Sequence, residues 1–258
     1  YDVVNHKNYV YDDCGHGTHV AGICSGSGAN SNGKYRGIAP ESNIVMIKAL
    51  DFEGKGTASD VLTGIQWIAD NCKKYNIRIL NMSIGAGITN TKDPLVRAAE
   101  ILWDMGIVVV AAAGNNGPQK GTISSPGISK KIITVGSADD INVPENDIGK
   151  SYSGRGPTKE CVIKPDVVAP GTNIISCLCE DNKSNNYYKS LSGTSMSTPI
   201  VSGAIALLLE KAPDLKPDDI KFMLKQSCHN LECSPNRQGW GLLDIENLLN
   251  REVVYVRK

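Results

Sequence analysis

Seven consecutive aliphatic residues, Ile-Val-Val-Val-Ala-Ala-Ala at 107–113, constrain the fold of this chain more than any other feature. A strand with one wet face alternates apolar and polar positions. This run has no polar position, so both of its faces must be covered. It is far shorter than the ~20 residues a membrane-spanning helix needs, and so is the apolar run at 204–209. A buried strand flanked by helices is what remains.

The rest of the chain supplies partners of that kind. Residues 43–50 (NIVMIKAL), 77–82 (IRILNM) and 132–136 read as further strands. Helical stripes lie between them. Val61, Ile65, Ile68 and Cys72 share a face in 57–73. Leu95, Ala98, Leu102 and Met105 do so behind the start signal Asp93-Pro94. Residues 199–211 are apolar all round, as in a helix buried in a core. Lys216-Pro217-Asp218-Asp219 opens one more helix. Strands alternating with crossover helices predict an α/β fold with a doubly wound, mostly parallel sheet. No repeat or low-complexity linker divides the chain, so 1–258 reads as a single domain.

Lys plus Arg and Asp plus Glu both number 27. With no basic surplus to neutralise phosphates, a nucleic-acid partner is excluded, and no run of the chain suits a membrane. The eight cysteines are scattered. Cys228 and Cys233 bracket His229 as in a hairpin bridge or half a metal site, but no second pair stands at ligand spacing, which disfavours zinc. Free, buried thiols in a reducing compartment are expected. No signal peptide is visible. The chain opens at Tyr1 without an initiator methionine, so it reads as a fragment or a processed product.

Ligands of doubly wound sheets sit beyond the carboxyl ends of the strands. Three segments placed to do chemistry there stand out. His16-Gly17-Thr18-His19 precedes a helix of small residues, which suits a general base held in one orientation, or else a core histidine at a helix start. Ala113-Gly114-Asn115 follows the most apolar strand, so its amide either meets a developing oxyanion or forms a polar turn. Gly193-Thr194-Ser195-Met196 leads into the buried helix. A serine there sits among free N–H groups, either as a nucleophile or as an ordinary cap.

Taken together and in this order, HGTHVAG, AAAGN and GTSMSTP resemble the motifs of the subtilisin-like serine proteases, the subtilases. The resemblance runs from about residue 11 to 249 through YRGIAPES, LNMSIG, SYSGRGP, KPDVVAPG and GWGLLD. DDCGHGTHVAGI, SNGKYRGIAPE and DPLVRAAE are most like the bacterial intracellular, AprX-like branch. It implies a three-layer α/β/α fold and a serine endopeptidase acting through an acyl-enzyme. Ser195 would be the nucleophile, His16 the base, and Asn115 with the Ser195 N–H the oxyanion hole. Ser83-Ile84-Gly85 and Gly54-Lys55-Gly56 would hold an extended peptide substrate between two edges. Ala113, Gly114 and Ser124 would line the main specificity pocket. That pocket holds no carboxylate, which argues against cleavage after basic residues, and Ser124 would make its floor shallow and polar. Asp12 would favour a basic side chain one position upstream. A cis peptide is expected at Ser125-Pro126.

The chain departs from the family at one point. An Asp-[Thr/Ser]-Gly motif should end the first strand well before the histidine, and none precedes His16. Asp12 and Asp13 are too close to His16 in sequence to fill that place. The resemblance therefore implies that the first strand or strands, with the catalytic Asp, lie outside this chain on an N-terminal polypeptide partner. The rival reading is an inactive, binding or regulatory protein of the same fold. No cofactor is required for the chemistry. Structural calcium is common in the family, and residues 139–147 and 25–34 are the candidate loops. A bacterial cytoplasmic location is expected, with secretion as the alternative.

Overall fold

The structure of the chain, a computed structural model, describes all residues except 8, 10, 88–89, 140, 142–150, 180–185 and 257–258. Its centre is β2 (Val108–Ala112), in which every residue is buried. β1 (Ile79–Met82) and β3 (Ile133–Ser137) flank it in parallel register, Leu80 opposite Val109 and Ala111 opposite Thr134. β4 (Val167–Ala169) completes the parallel order β1-β2-β3-β4. A separate antiparallel pair joins β5 (Ile174–Cys177) to β6 (Tyr188–Leu191).

The helices begin where local chemistry dictates. α1 (His16–Ser25) is followed by α2 (Ala58–Tyr75), whose Thr57 hydroxyl accepts the Asp60 N–H while the Asp60 carboxylate accepts the Thr57 N–H. Such a reciprocal cap stabilises a helix start by about 1 kcal/mol. α3 (Pro94–Asp104) opens with Pro94 behind an Asp93 cap. α4 (Thr194–Lys211) lies across the four parallel strands, and α5 (Pro217–Ser227) and α3 pack on β2. The short α6 (Pro235–Gln238) and α7 (Ile245–Asn250) follow.

Two expectations are corrected. The buried face of α3 is Leu95, Val96, Ala99, Leu102 and Trp103, whereas Met105 is exposed. The indole N–H of Trp103 donates to the Asp218 carboxylate at 2.9 Å, which turns the helix toward α5. Residues 43–50 do not form a strand. On one side they pair briefly with the start of the chain: the Tyr1 ammonium donates to the Met46 carbonyl, Lys48 N–H to Tyr1 and Val3 N–H to Lys48. Val45 and Ile47 line a cleft of about 920 Å³.

That cleft lies between the 43–50 segment and the unpaired edge of β1. Its walls are apolar: Ile44, Val45 and Met46 on one side, Ile79 and Leu80 on the other, with Val61 and Ile65 of α2. Ile44, Val45 and Met46 are 44%, 40% and 37% exposed, high for aliphatic residues beside a core. His16 also borders the cleft.

Candidate active site

α1 starts at His16 because the loop before it is shaped for a helix entry. Gly15 adopts φ +86°, a left-handed conformation that favours glycine. The Asp12 carboxylate accepts hydrogen bonds from the N–H groups of Cys14, Gly15 and Thr18 and from the Thr18 hydroxyl, at 2.6–3.0 Å. Partial burial works to raise its pKa, but these bonds outweigh it and hold the carboxyl below the ordinary carboxylate range. Asp12 thus ties the loop to the first turn of the helix that carries His16, and it also borders the cleft beside that helix. Asp13 is bound by Lys48 at 2.5 Å.

Burial pushes the His16 imidazole below its ordinary value, the nearby His19 adds to the effect, and the Asp12 charge opposes it. An imidazole kept neutral in this way can accept a proton near neutral pH. Among the described residues the His16 ring makes no hydrogen bond.

The loop that enters α4 and the end of β2 are joined through Thr194. Beyond β2, Gly114 at φ +89° turns the chain to present Asn115. Asn115 Oδ1 accepts the Thr194 N–H at 3.0 Å and the Thr194 hydroxyl at 3.1 Å, and Gly114 N–H reaches Thr194 Oγ1 at 3.2 Å. With its oxygen engaged, the amide can only turn Nδ2 outward, beside Gly193. A Cβ on Gly193 would stand 3.2 Å from that nitrogen, and Gly193 has φ +150°. A larger residue there would crowd the donor.

Ser195 lies in the first turn of α4, and its Oγ donates to the Ser83 carbonyl at 3.1 Å. Pro199, four residues on, has no N–H to offer the Ser195 carbonyl. The Ser83 hydroxyl fills that place at 2.8 Å. Asn81 donates to Ser83 Oγ at 3.0 Å, and Ser202 donates to Asn81 at 2.9 Å. This chain of polar contacts fixes the backbone of Ser195 to β1. The sequence motifs assign no role to Asn81, Ser202 or Thr194, although Asn81 lies within LNMSIG and Thr194 within GTSMSTP.

The expected substrate elements gather around these groups. Beyond Ser83-Ile84-Gly85, Ala86 forms an antiparallel bridge with Ser125. Ser124 is buried between two glycines: a Cβ on Gly114 would lie 2.1 Å from its Oγ, and one on Gly85 3.0 Å from its Cβ. Its hydroxyl accepts from Asn116 at 3.1 Å. Ala113 is buried at the end of the same wall. The Ser125-Pro126 peptide is cis. Gly54-Lys55-Gly56 form a turn held by Asp51, and Gly54 packs beside Cys14, next to the His16 loop.

Metal chemistry finds little support. Among the described residues no three His, Cys, Asp or Glu side chains assemble a site. Residues 25–34 contain no carboxylate. Of 139–147, only Asp139 and Ile141 are described; the rest lie outside the described residues. Asp139 accepts the N–H groups of Gly171 and Thr172. All eight cysteines are unpaired, but none is fully buried as expected: six are half-buried, and Cys14 and Cys161 are exposed in surface loops. No described helix is long and apolar enough to cross a membrane.

Comparison with known proteins agrees with this geometry. The Subtilase family matches residues 1–241. The chain is 44% identical to the serine protease AprX of Bacillus subtilis (strain 168), over 95% of this chain and 60% of that protein. It thus spans about three fifths of that relative's length. It is 36% identical to subtilisin DY of Bacillus licheniformis, over 94% of this chain and 80% of the relative. Among solved structures, a cold-adapted subtilisin-like serine proteinase superposes with a TM-score of 0.74 at 32% identity, covering 95% of this chain and 78% of that one. Sphericase gives 0.78 at 28% identity, covering 94% and 82%.

Proposed function

The chain belongs to the subtilase family, and from that premise we propose that it is the catalytic part of a serine endopeptidase. The supporting observation is the Asn115–Thr194–Ser195 junction, which sets an amide donor beside the first turn of a helix whose serine hydroxyl is reachable. In this reading Ser195 Oγ attacks the scissile carbonyl and its proton passes to His16. The new oxyanion receives Asn115 Nδ2 and the Ser195 N–H. His16 then gives the proton to the leaving amine, and water repeats the sequence to release the acid and restore Ser195. A fluorophosphonate should label Ser195. Peptide mapping that finds the label elsewhere, or none on active enzyme, rejects this reading.

Asn115→Ala should lower kcat by roughly 10²–10³ with KM little changed, the loss known for the corresponding residue of subtilisin. The amide is oriented toward charge that exists only after attack. A raised KM at constant kcat would instead make Asn115 a binding residue.

The same reading places a third group in the cleft. We propose that a polypeptide segment N-terminal to this domain inserts there as a strand, between residues 43–50 and β1, and presents an Asp to His16. The edge position of β1 among the described residues, the apolar walls and the position of His16 at the border support it.

For specificity, Ser124 limits the depth of the pocket between Gly85 and Gly114, so small to medium side chains should precede the cleaved bond. Ser124→Gly should shift kcat/KM toward larger residues by about tenfold or more, the scale of one or two buried methylene groups. No shift on a set of peptides differing only there would count against the assignment. The unpaired cysteines fit a reducing, cytoplasmic setting. Titration of the native protein from its source should find all the cysteines of this chain as free thiols, and fewer would contradict that location.

A further inference from the structure

His19 stands one turn beyond His16 on α1 and is only 1% exposed. Its Nε2 lies 3.1 Å from the Ile174 carbonyl and 2.9 Å from the Lys189 carbonyl. Those oxygens belong to β5 and β6, so one N–H is shared by both strands of the antiparallel pair. The contact is reinforced from the other direction. The Ser176 hydroxyl of β5 donates to the His19 carbonyl at 2.8 Å, and a Cβ on Gly22 would come within 2.4 Å of Ser176 Oγ, so α1 lies flat on β5. β6 ends at Leu191, and Ser192-Gly193-Thr194 carry the chain directly into Ser195. A single imidazole therefore couples the helix that bears His16 to the strand that delivers Ser195.

We propose that His19, in its neutral Nε2–H form, is a positioning residue that sets the placement of His16 relative to Ser195. The proposal rests on the reading of those two residues as base and nucleophile.

The second ring nitrogen shows why the neutral form matters. Nδ1 is buried and has no hydrogen-bond partner among the described residues. Because both carbonyls lie at Nε2, the proton belongs there and Nδ1 keeps its lone pair. A second proton would create a buried donor with nothing to accept it. Burial holds the imidazole below its ordinary value, the two carbonyls oppose that, and the Lys189 charge reinforces it. The other ionisable groups on the packed elements are His16 and Cys24 on α1, Cys177 on β5, Tyr188 on β6, and Glu210 and Lys211 at the far end of α4. No carboxylate stands on α1, β5 or β6 to favour the charged ring.

The test uses the full-length protein with His19→Phe and His19→Gln. Phenylalanine keeps a ring but offers no donor; glutamine places an amide N–H near the Nε2 position and does not titrate. His19→Phe should lower kcat by roughly 10–100-fold with KM within a few-fold, as expected when catalytic groups lose their alignment, and His19→Gln should recover most of it. At acid pH, log(kcat/KM) of the wild type should approach a slope of two, for His16 and His19, and that of His19→Gln a slope of one. A glutamine variant as impaired as the phenylalanine one, or with the wild-type slope, overturns the proposal. An activity-independent measurement separates this from failure of the enzymatic reading. In a Ser195→Ala background, hydrogen exchange of the β5 and β6 amides should accelerate on acidification when His19 is present and stay protected when the His19→Gln change is added. Equal exchange in both rejects the clamp even if Ser195 is labelled. Absent labelling with the predicted exchange rejects only the enzymatic reading.

Discussion

Ser195→Ala is expected to lower kcat by about 10⁶ while leaving the fold intact, the size of loss recorded when the corresponding serine is removed from subtilisin. The structure explains why stability should survive. The lost hydroxyl makes one hydrogen bond, to the Ser83 carbonyl, and Ser195 is only partly buried. Alanine is the most favourable helix residue, and the position is in the first turn of α4. The Ser83 hydroxyl still finds the Ser195 backbone carbonyl, because Pro199 leaves that oxygen free in either variant. Steady-state kinetics with a peptide substrate, alongside thermal unfolding, checks both halves. Retention of more than about one per cent of kcat would show that another group attacks the substrate.

The second large effect concerns the cleft. Residues 1–258 alone should turn over substrate about 10⁴-fold more slowly than the protein that includes the proposed Asp-bearing segment, the scale of loss seen when a serine protease triad is deprived of a functional carboxylate. Without that partner the imidazole is free to take the wrong tautomer, and the imidazolium formed during attack has no counter-charge. Adding the segment in trans should restore activity. It should also move the acid limb. Burial and His19 hold His16 low in this chain, and a carboxylate on its ring would stabilise the protonated form and raise its pKa. The neutral base is then lost at a higher pH, so the limb of kcat/KM shifts upward when the segment binds. Full activity of 1–258 alone, or a complex whose nearest carboxylate to His16 is Asp12 or Asp13, sinks this account.

Much of the fold was legible because its signals are local. Thr57 with Asp60, and Asp93 with Pro94, mark helix starts within three residues. The polar-free run at 107–113 required cover on both faces, and β2 is buried at every position. The three motifs stood out because glycines at Gly114 and Gly193 flank Asn115 and Ser195, and their backbone conformations suit glycine. The 43–50 strand was not legible in the same way. Its residues have the right composition, but a ladder needs a partner, and their cleft-side edge has none among the described residues. Met105 failed for a related reason, since a stripe drawn at helical spacing does not reveal that Trp103 is drawn toward Asp218, 115 positions away.

The sequence by itself thus determined the architecture and the family, and singled out the three segments proposed to carry the chemistry. These depend on periodicity, caps and turns, all set by neighbours along the chain. Tertiary structure alone decided how the side chains are used. The Asn115 amide is oriented by Thr194, 79 residues on, and Ser83 holds the carbonyl of Ser195 across 112. Asp12 holds the start of α1 because the folded loop points four donors at it. His19 gains its partners only when β5 and β6, more than 150 residues later, close over α1. Hydrogen bonds of this kind form between groups that no local pattern pairs, and only folding brings them within about 3 Å of each other.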